Sequence, residues 1–365
     1  MLLKNEGGLL PLDQSKLRSL AVIGPNAAAL RLGGYSGIPA HRVTVLEGIK
    51  QKVGDQVGVL YAEGCGITQS TNEAGQMWHD DEVLPPDPAR DEVLIAEAVE
   101  TAQKADVVLL ILGDNEQTCR EGWSTNHLGD RDNLDLPGRQ EELLQAVFAT
   151  GKPVVLVLLQ GRPASINFAA MNIPAILECW YPGQEGGTAV ADVLFGDVNP
   201  GGKLPITFPR SVGQIPAYYY HKPSARRGYL FTSAEPLFPF GHGLSYTTFA
   251  YSNLRLSSDG ITAGEIATVS VDVTNTGERV GDEVVQLYVH DLLSTTVTRP
   301  VKLLKGFQRI TLQPGECQTV SFPVSREQLE FLDEAMKRTV EPGQFELMVG
   351  SSSKTTQSIL LEVTA

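Results

Sequence analysis

Five short apolar runs, spaced through residues 20–180, constrain the fold of this 365-residue chain more than any other feature. They are 20–24 (LAVIG), 56–61 (QVGVLY), 106–113 (DVVLLILG), 153–160 (PVVLVLLQ) and 175–180 (AILECW). Successive residues in these runs are apolar, so both faces of each predicted strand must be covered. Helical patterns lie between the runs or follow the last of them, at 91–104, 139–150 and 184–195. The alternation predicts βα units around a mainly parallel sheet.

The carboxyl-terminal third has a different period. Apolar and polar residues alternate in five segments separated by turn residues: 266–273, 283–290, 303–310, 319–324 and 344–349. This pattern predicts an antiparallel β-sandwich of immunoglobulin or fibronectin type. We therefore predict a leading segment at 1–18, an α/β domain at 19–209, a connector at 210–250 that is rich in Pro, Tyr and Gly, and the β-sandwich at 251–365.

Charge and composition narrow the classes of partner. The chain has 29 Lys and Arg against 43 Asp and Glu, a formal net charge of −14, which disfavours binding to nucleic acid or to an anionic membrane. No stretch approaches the ~18–20 apolar residues of a membrane span. The first twelve residues lack the pattern of a signal peptide. We expect neither nucleic acid nor a membrane as partner.

Several kinds of site are disfavoured by spacing. The four cysteines, at 65, 119, 179 and 317, form no paired motif and are predicted to be free thiols or to form at most one bridge. The six histidines show no ligand-like spacing, so no metal site is predicted. Residues 196–203 (GDVNPGGK) lack the glycine spacing and the Ser or Thr of a phosphate loop.

One long acidic segment, 113–140, follows a predicted strand at the edge where open α/β sheets place ligands. Its charged and aromatic residues are Glu116, Glu121, Asp130, Asp132, Asp135, Arg120, Arg131, Trp123 and His127. Carboxylates can bind hydroxyl groups and an aromatic ring can cover a sugar face, so the mixture suits polyhydroxylated ligands. The alternative is an ordinary acidic loop that solvates the domain.

Ordered sequence blocks along the chain resemble the carboxyl-terminal half of glycoside hydrolase family 3, the β-glucosidase and β-xylosidase family. The blocks are 2–12 (LLKNEGGLLPL), 21–26 (AVIGPN), 194–209 (LFGDVNPGGKLPITFP), 236–248 (PLFPFGHGLSYTT) and 275–289 (NTGERVGDEVVQLYV). The last block and 299–307 (RPVKLLKGF) resemble the family's fibronectin type III-like domain. The resemblance implies an α/β sandwich domain, followed by that domain, and makes 1–18 a linker from a barrel domain.

The same resemblance implies a general acid/base residue in the acidic segment. Many family members carry a Gly, a Glu-Gly pair eight residues later, and then Asp-Arg before a Leu-x-Leu-Pro-Gly helix start. Here Gly113 is followed at that spacing by Glu121 and Gly122, and then by Asp130 and Arg131. Glu121 is thus the match for the acid/base. The insertion at 123–129 keeps Glu116 as the second choice.

A second loop, 33–37 (GGYSG), matches the family segment that contacts the sugar beyond the cleaved bond. Tyr35 and Ser36 are the implied substrate-binding residues there, because aromatic rings stack on pyranose faces and glycines allow close backbone approach. Trp123, beside Glu121, is a third candidate. The alternative is a glycine-rich turn with Tyr35 packed inward.

The family's nucleophile is an Asp, typically within Ser-Asp-Trp on a (β/α)8 barrel, and this chain contains no Ser-Asp-Trp. Its nearest string, Ser258-Asp259-Gly260, is predicted to be a turn. The resemblance therefore implies retaining hydrolysis of terminal β-D-glycosidic bonds in β-linked oligosaccharides or glycosides, with a barrel in cis or in trans, and with this chain nearly inactive alone. It implies no cofactor.

A chain without the nucleophile is also compatible with a function other than catalysis. A non-catalytic carbohydrate-binding or assembly module is the competing hypothesis. The resemblance is compatible with glucose or xylose specificity and with a homo-oligomer. The family includes secreted, periplasmic and cytoplasmic members, and the resemblance is compatible with each of these locations.

Overall fold

A computed structural model describes residues 1–69, 82–122, 125, 129–223, 228–293 and 296–365. The chain forms two compact units. The first consists of Met1–Val198 with Pro209–Gly213, and the second of Asn199–Phe208 with Gln214–Ala365. Residues 199–208 thus belong to the second unit, although the pattern assigned them to the α/β domain. The predicted domain limits stay a proposal.

The first unit is built on a six-stranded sheet with the order β1-β6-β5-β4-β2-β3. Its strands are β1 (Leu2–Asn5), β2 (Ser19–Ile23), β3 (Gly58–Ala62), β4 (Val107–Gly113), β5 (Val154–Leu159) and β6 (Ala175–Glu178). Strands β2 to β6 pair in parallel and β1 pairs antiparallel with β6. Every residue of β4 and β5 is buried, as continuous apolar runs require. The predicted α/β class with a mainly parallel sheet is confirmed.

In the described residues, α1 (Val45–Val53), α2 (Pro88–Gln103), α3 (Gln140–Phe148) and α4 (Asn167–Asn172) lie between consecutive strands, and α5 (Gly186–Phe195) follows β6. Helix α1 begins at a capping box formed by Thr44 and Glu47. It packs against α5, while α2 packs against α3. A Cβ on Gly187 would lie 1.9 Å from the Thr44 carbonyl oxygen, so the glycine allows α5 to approach the start of α1.

The first residues of the chain differ from the interpretation of 1–18 as a linker. Leu2 and Leu3 are buried, and Leu2–Asn5 forms the edge strand of the sheet. Apolar side chains at these positions extend the core beyond β6. Four residues are too few for the alternation that identifies a strand in a sequence.

In its described residues, the second unit contains ten strands in sheets of five, three and two strands. They are β7 (Phe249–Leu256), β8 (Gly260–Thr262), β9 (Ala267–Asn275), β10 (Gly281–Asp291), β11 (Leu303–Leu312), β12 (Cys317–Val324), β13 (Phe331–Leu332), β14 (Arg338–Thr339), β15 (Gly343–Gly350) and β16 (Thr356–Thr364). A short helix, α6 (Arg326–Leu329), follows β12. The sheets have the orders β11-β10-β15-β16-β8, β12-β9-β7 and β13-β14.

Alternation along β9 shows how this unit folds. Its residues are buried at every second position from Ala267 to Asn275, and its valines enter the core between the sheets. All described strand pairs in this unit are antiparallel except the parallel pair of β16 and β8. The predicted all-β sandwich is confirmed, with this one parallel pair as the difference. Within the described ranges, no helix has the length and apolarity to cross a membrane.

Candidate active site

The strand order of the first sheet reverses between the carboxyl ends of β2 and β4. The chain runs from β2 to its neighbour β3 and then returns across β2 to β4, so the order reverses at this point. Ligands of open α/β sheets bind at such switch points. The loop after β2 carries Tyr35 and Ser36, and the loop after β4 carries Glu116 and Glu121. The structure thus brings the roots of both predicted loops to the carboxyl ends of adjacent strands.

Glycines end both strands in conformations that other residues rarely adopt. Gly24 has φ +129° and Gly113 has φ +135°. A Cβ would lie 2.1 Å from the Ile111 carbonyl oxygen at Gly24, and 2.0 Å from the Leu159 carbonyl oxygen at Gly113. Both loops therefore leave the sheet in direct backbone contact with the neighbouring strand.

Two buried amides fix the roots of these loops. Gln140 Oε1 accepts from the Gly113 N–H at 2.8 Å, and its Nε2 donates to the Gly113 carbonyl oxygen at 2.8 Å. Asn26 Nδ2 donates to the carbonyl oxygens of Asp114 at 3.1 Å and Leu159 at 3.2 Å. Because both side chains are buried and engaged with backbone groups, they hold the start of the acidic loop against the sheet.

Glu116 ties the two loops together. Its side chain has no exposed surface, and Oε2 lies 3.2 Å from Arg31 Nη1. Oε1 accepts from the Leu32 N–H at 3.2 Å, and Arg31 Nε donates to Asn26 Oδ1 at 2.7 Å. A carboxylate enclosed in this way is closed to a substrate. The burial counts against Glu116 as the acid/base.

Glu121, in contrast, is exposed on the same loop. The N–H of the next residue, Gly122, donates to Asp130 Oδ1 at 3.1 Å, which restrains the backbone beside Glu121. Glu121 therefore combines an accessible carboxyl group with a restrained backbone.

The acidic loop also contains a buried polar group centred on Asp114. Its Oδ1 accepts from Arg131 Nη1 at 2.9 Å, and its Oδ2 accepts from Cys119 Sγ at 2.8 Å. Burial raises the pKa of Asp114 despite these donors. Burial, with the adjacent Asp114 carboxylate, raises the pKa of Cys119 to about 12. Cys119 is thus a neutral thiol at physiological pH and not a nucleophile.

Tyr35 stands in solvent with 98% of its surface exposed. The Ser36 N–H donates to the Gly33 carbonyl oxygen at 3.3 Å, and Ser36 Oγ donates to the Leu32 carbonyl oxygen at 2.8 Å. These bonds form a turn that points away from the core, so the alternative of an inward-packed Tyr35 is not observed. Trp123 and His127 lie outside the described residues.

Sequence reasoning missed Asn26, Arg31 and Gln140 as parts of the site. Gln140 offered a signal, because it precedes buried Leu143, Leu144 and Val147 at helical spacing and so places an amide on an apolar face. In the described part of the chain, no group of three or more His, Cys, Asp or Glu residues is arranged to hold a metal.

Comparison with known proteins agrees with this architecture. Residues 1–246 match the family model described as the glycosyl hydrolase family 3 C-terminal domain, and residues 283–353 match the fibronectin type III-like domain. A β-xylosidase from Formosa agariphila is 49% identical over 366 residues, which cover 97% of this chain and 47% of that protein. A periplasmic β-glucosidase from Salmonella typhimurium is 45% identical over 368 residues, with 97% and 47% covered.

Solved structures give the same result. A β-glucosidase from Erythrobacter marinus superposes with a TM-score of 0.94 at 46% identity, covering 100% of this chain and 49% of that one. The β-glucosidase of Listeria innocua in complex with glucose has a TM-score of 0.84 at 32% identity, with 100% and 48% covered. The chain spans about half the length of the curated relatives it matches. The predicted resemblance is confirmed: the chain belongs to glycosyl hydrolase family 3, as the family's C-terminal domain followed by a fibronectin type III-like domain.

Proposed function

We propose that this chain supplies the general acid/base of a retaining β-glycosidase and that Glu121 is that residue. The observation that carries the proposal is the contrast between two carboxyl groups on one loop. Glu121 is exposed, whereas Glu116 is buried against Arg31. In retaining hydrolysis one carboxyl group protonates the departing glycosidic oxygen and, as a carboxylate, then activates water. Only an accessible group can do both.

The nucleophile of this reaction would come from a (β/α)8 barrel domain, joined in cis or in trans. A second carboxylate must attack the anomeric carbon from about 5–5.5 Å away from the acid/base. The absence of Ser-Asp-Trp from the sequence supports a second domain, as does the greater length of the relatives. Because those relatives are named β-xylosidase and β-glucosidase, we infer a terminal β-D-glycoside as the substrate class, without assigning glucose or xylose.

If this chain supplies the acid/base and the barrel supplies the nucleophile, hydrolysis requires both. This chain purified alone should show no hydrolysis of aryl β-glucosides or β-xylosides, and the protein that also contains the barrel should hydrolyse one of them. The control is the barrel-containing protein with the Asp of Ser-Asp-Trp replaced by Ala. Turnover by this chain alone would contradict the proposal. An inactive barrel-containing protein that still binds the glycosides would favour the non-catalytic module.

Tyr35 is proposed to form part of the site for the leaving group, together with Ser36 and Trp123. Its exposed ring can stack on a pyranose or aryl face, an interaction of about 0.5–1.5 kcal/mol. We expect Tyr35→Ala in the barrel-containing protein to raise KM for a disaccharide about 3- to 10-fold, with unchanged thermal stability because 98% of the residue's surface is exposed. Tyr35→Trp should keep KM within about twofold, since it keeps an aromatic face. Equal KM values for the Ala variant and the native protein would remove Tyr35 from the site.

A further inference from the structure

The two arms of the acidic loop meet beside Glu121. Three contacts join its outgoing and returning arms. Asp114 forms an ion pair with Arg131, and the Gly122 N–H bonds to Asp130. Between them, a Cβ on Gly129 would lie 2.4 Å from Arg120 Cγ and 2.8 Å from the Arg120 carbonyl oxygen, so the two arms touch there. We call residues 114, 119–122 and 129–131 the neck.

Asp114 is the most buried residue of the neck. Asp114 is 2% exposed, and the side chain of Arg131 is 15% exposed. Arg131 also donates through Nη2 to the Asp135 carbonyl oxygen. Because Asp114 is buried, loss of Arg131 would leave its carboxylate without an opposite charge in a desolvated setting, so the ion pair restrains the two arms of the loop.

The neck is also fastened to neighbouring loops. Arg162, which follows β5, donates through Nη2 to the Arg120 carbonyl oxygen at 3.0 Å. The Tyr181 ring packs between the loops after β2 and β5. A Cβ built on Gly33 would lie 3.5 Å from this ring, and one built on Gly161 would lie 3.3 Å from it. Displacement of the neck would therefore shift Glu121 relative to the loop that carries Tyr35.

From this geometry we propose that Asp114 is a positioning residue that sets the location of the Glu121 carboxyl group. It acts through its ion pair with Arg131 and through the hydrogen bond that it accepts from Cys119. The inference rests on Glu121 being the acid/base, as proposed above. Asp114 itself touches no substrate, because its carboxylate is enclosed by the neck. Proton transfer requires the acid within hydrogen-bond reach of the glycosidic oxygen, and a displacement of about 1 Å can lower the rate about 100-fold.

The test uses the barrel-containing protein and two β-glycosides that share a sugar. One has a dinitrophenyl leaving group, which departs without protonation, and the other has an alkyl leaving group, which needs it. We expect Asp114→Asn to lower kcat/KM for the alkyl glycoside about 10- to 100-fold and for the dinitrophenyl glycoside less than about threefold. Asp55→Asn is the control, because Asp55 is an exposed carboxylate outside the acidic segment and should change neither value.

A second measurement separates positioning from general damage. If Asp114 acts through Glu121, then adding Asp114→Asn to Glu121→Gln should change kcat/KM for the alkyl glycoside less than about twofold. Equal losses on both glycosides, or full additivity with Glu121→Gln, would overturn the inference. The proposed function fails separately, if Glu121→Gln alone shows no dependence on the leaving group.

Cys119 provides variants that keep the buried charges intact, in case Asp114→Asn does not accumulate as folded protein. Cys119→Ala removes one donor to Asp114, and Cys119→Ser retains a hydroxyl donor. We expect Cys119→Ala to lower kcat/KM for the alkyl glycoside selectively, about 3- to 10-fold, and Cys119→Ser to restore most of it. An alanine variant with native kcat/KM on the alkyl glycoside would overturn the inference.

Discussion

Glu121→Gln in the barrel-containing protein should lower kcat/KM about 10²- to 10⁴-fold for β-glycosides with alkyl or sugar leaving groups. The amide fills the same volume but cannot donate an acidic proton to the glycosidic oxygen. For a dinitrophenyl glycoside kcat/KM should fall much less, because that leaving group departs as a stable anion. Initial rates on a series of leaving groups measure the difference as a steeper dependence on leaving-group pKa.

The second half of the reaction provides an independent check. Once the glycosyl-enzyme has formed, the carboxylate of Glu121 should activate water, so kcat for the dinitrophenyl glycoside should fall in Glu121→Gln even where kcat/KM holds. Azide attacks without a general base, and it should therefore raise kcat of this variant and yield a glycosyl azide. No effect of azide would contradict the second role of Glu121.

Glu116→Gln is the matched control on the same loop. It removes the charge that faces buried Arg31, so its main effect should be a lower free energy of unfolding, since a buried charge loses its partner. Losses on the two glycosides should then be similar. A larger loss on the alkyl glycoside than in Glu121→Gln would assign the acid/base role to Glu116.

The sequence alone does not separate these two glutamates. Motif spacing favours Glu121 as the acid/base, but the insertion at 123–129 keeps Glu116 as a candidate for the same role. The structure separates them by burial, and that burial depends on Arg31, which lies 85 residues earlier in the chain. Two loops meet there only because β2 and β4 are neighbours in the sheet. Single-sequence patterns report local periodicity and cannot report such a pairing.

The fold of both units is easier to predict from the sequence than the site is. Central strands β4 and β5 are uninterrupted apolar runs, and β9 alternates strictly, so their patterns identify both units. Some short elements give patterns too short to identify from the sequence. Strand β1 has four residues, and helix α1 has nine with Gly48 among them. The three-residue β8, which pairs in parallel with β16, gave no signal of its direction.

The acidic loop that carries the neck begins at Gly113. The backbone of Gly113 lies directly against β5, and this contact fixes the start of the loop. We expect Gly113→Ala to lower the free energy of unfolding of the first unit by about 4 kcal/mol, the sum of a strained backbone and an overpacked contact. The new Cβ would lie 2.0 Å from the Leu159 carbonyl oxygen, and this neighbour is backbone of a buried strand that cannot rotate away. Urea denaturation of the native and variant chains measures the difference.

Gly151→Ala is the matched control, because Gly151 also has a positive φ, +74°, but nothing lies within 4 Å of its Cβ position. It should cost only the backbone strain, about 1 kcal/mol. The difference between the two variants therefore isolates the contact with Leu159. If Gly113→Ala were no more destabilising than Gly151→Ala, the loop would have room to leave β4 by another path. The restraint that we assign to the start of the acidic loop would then be absent.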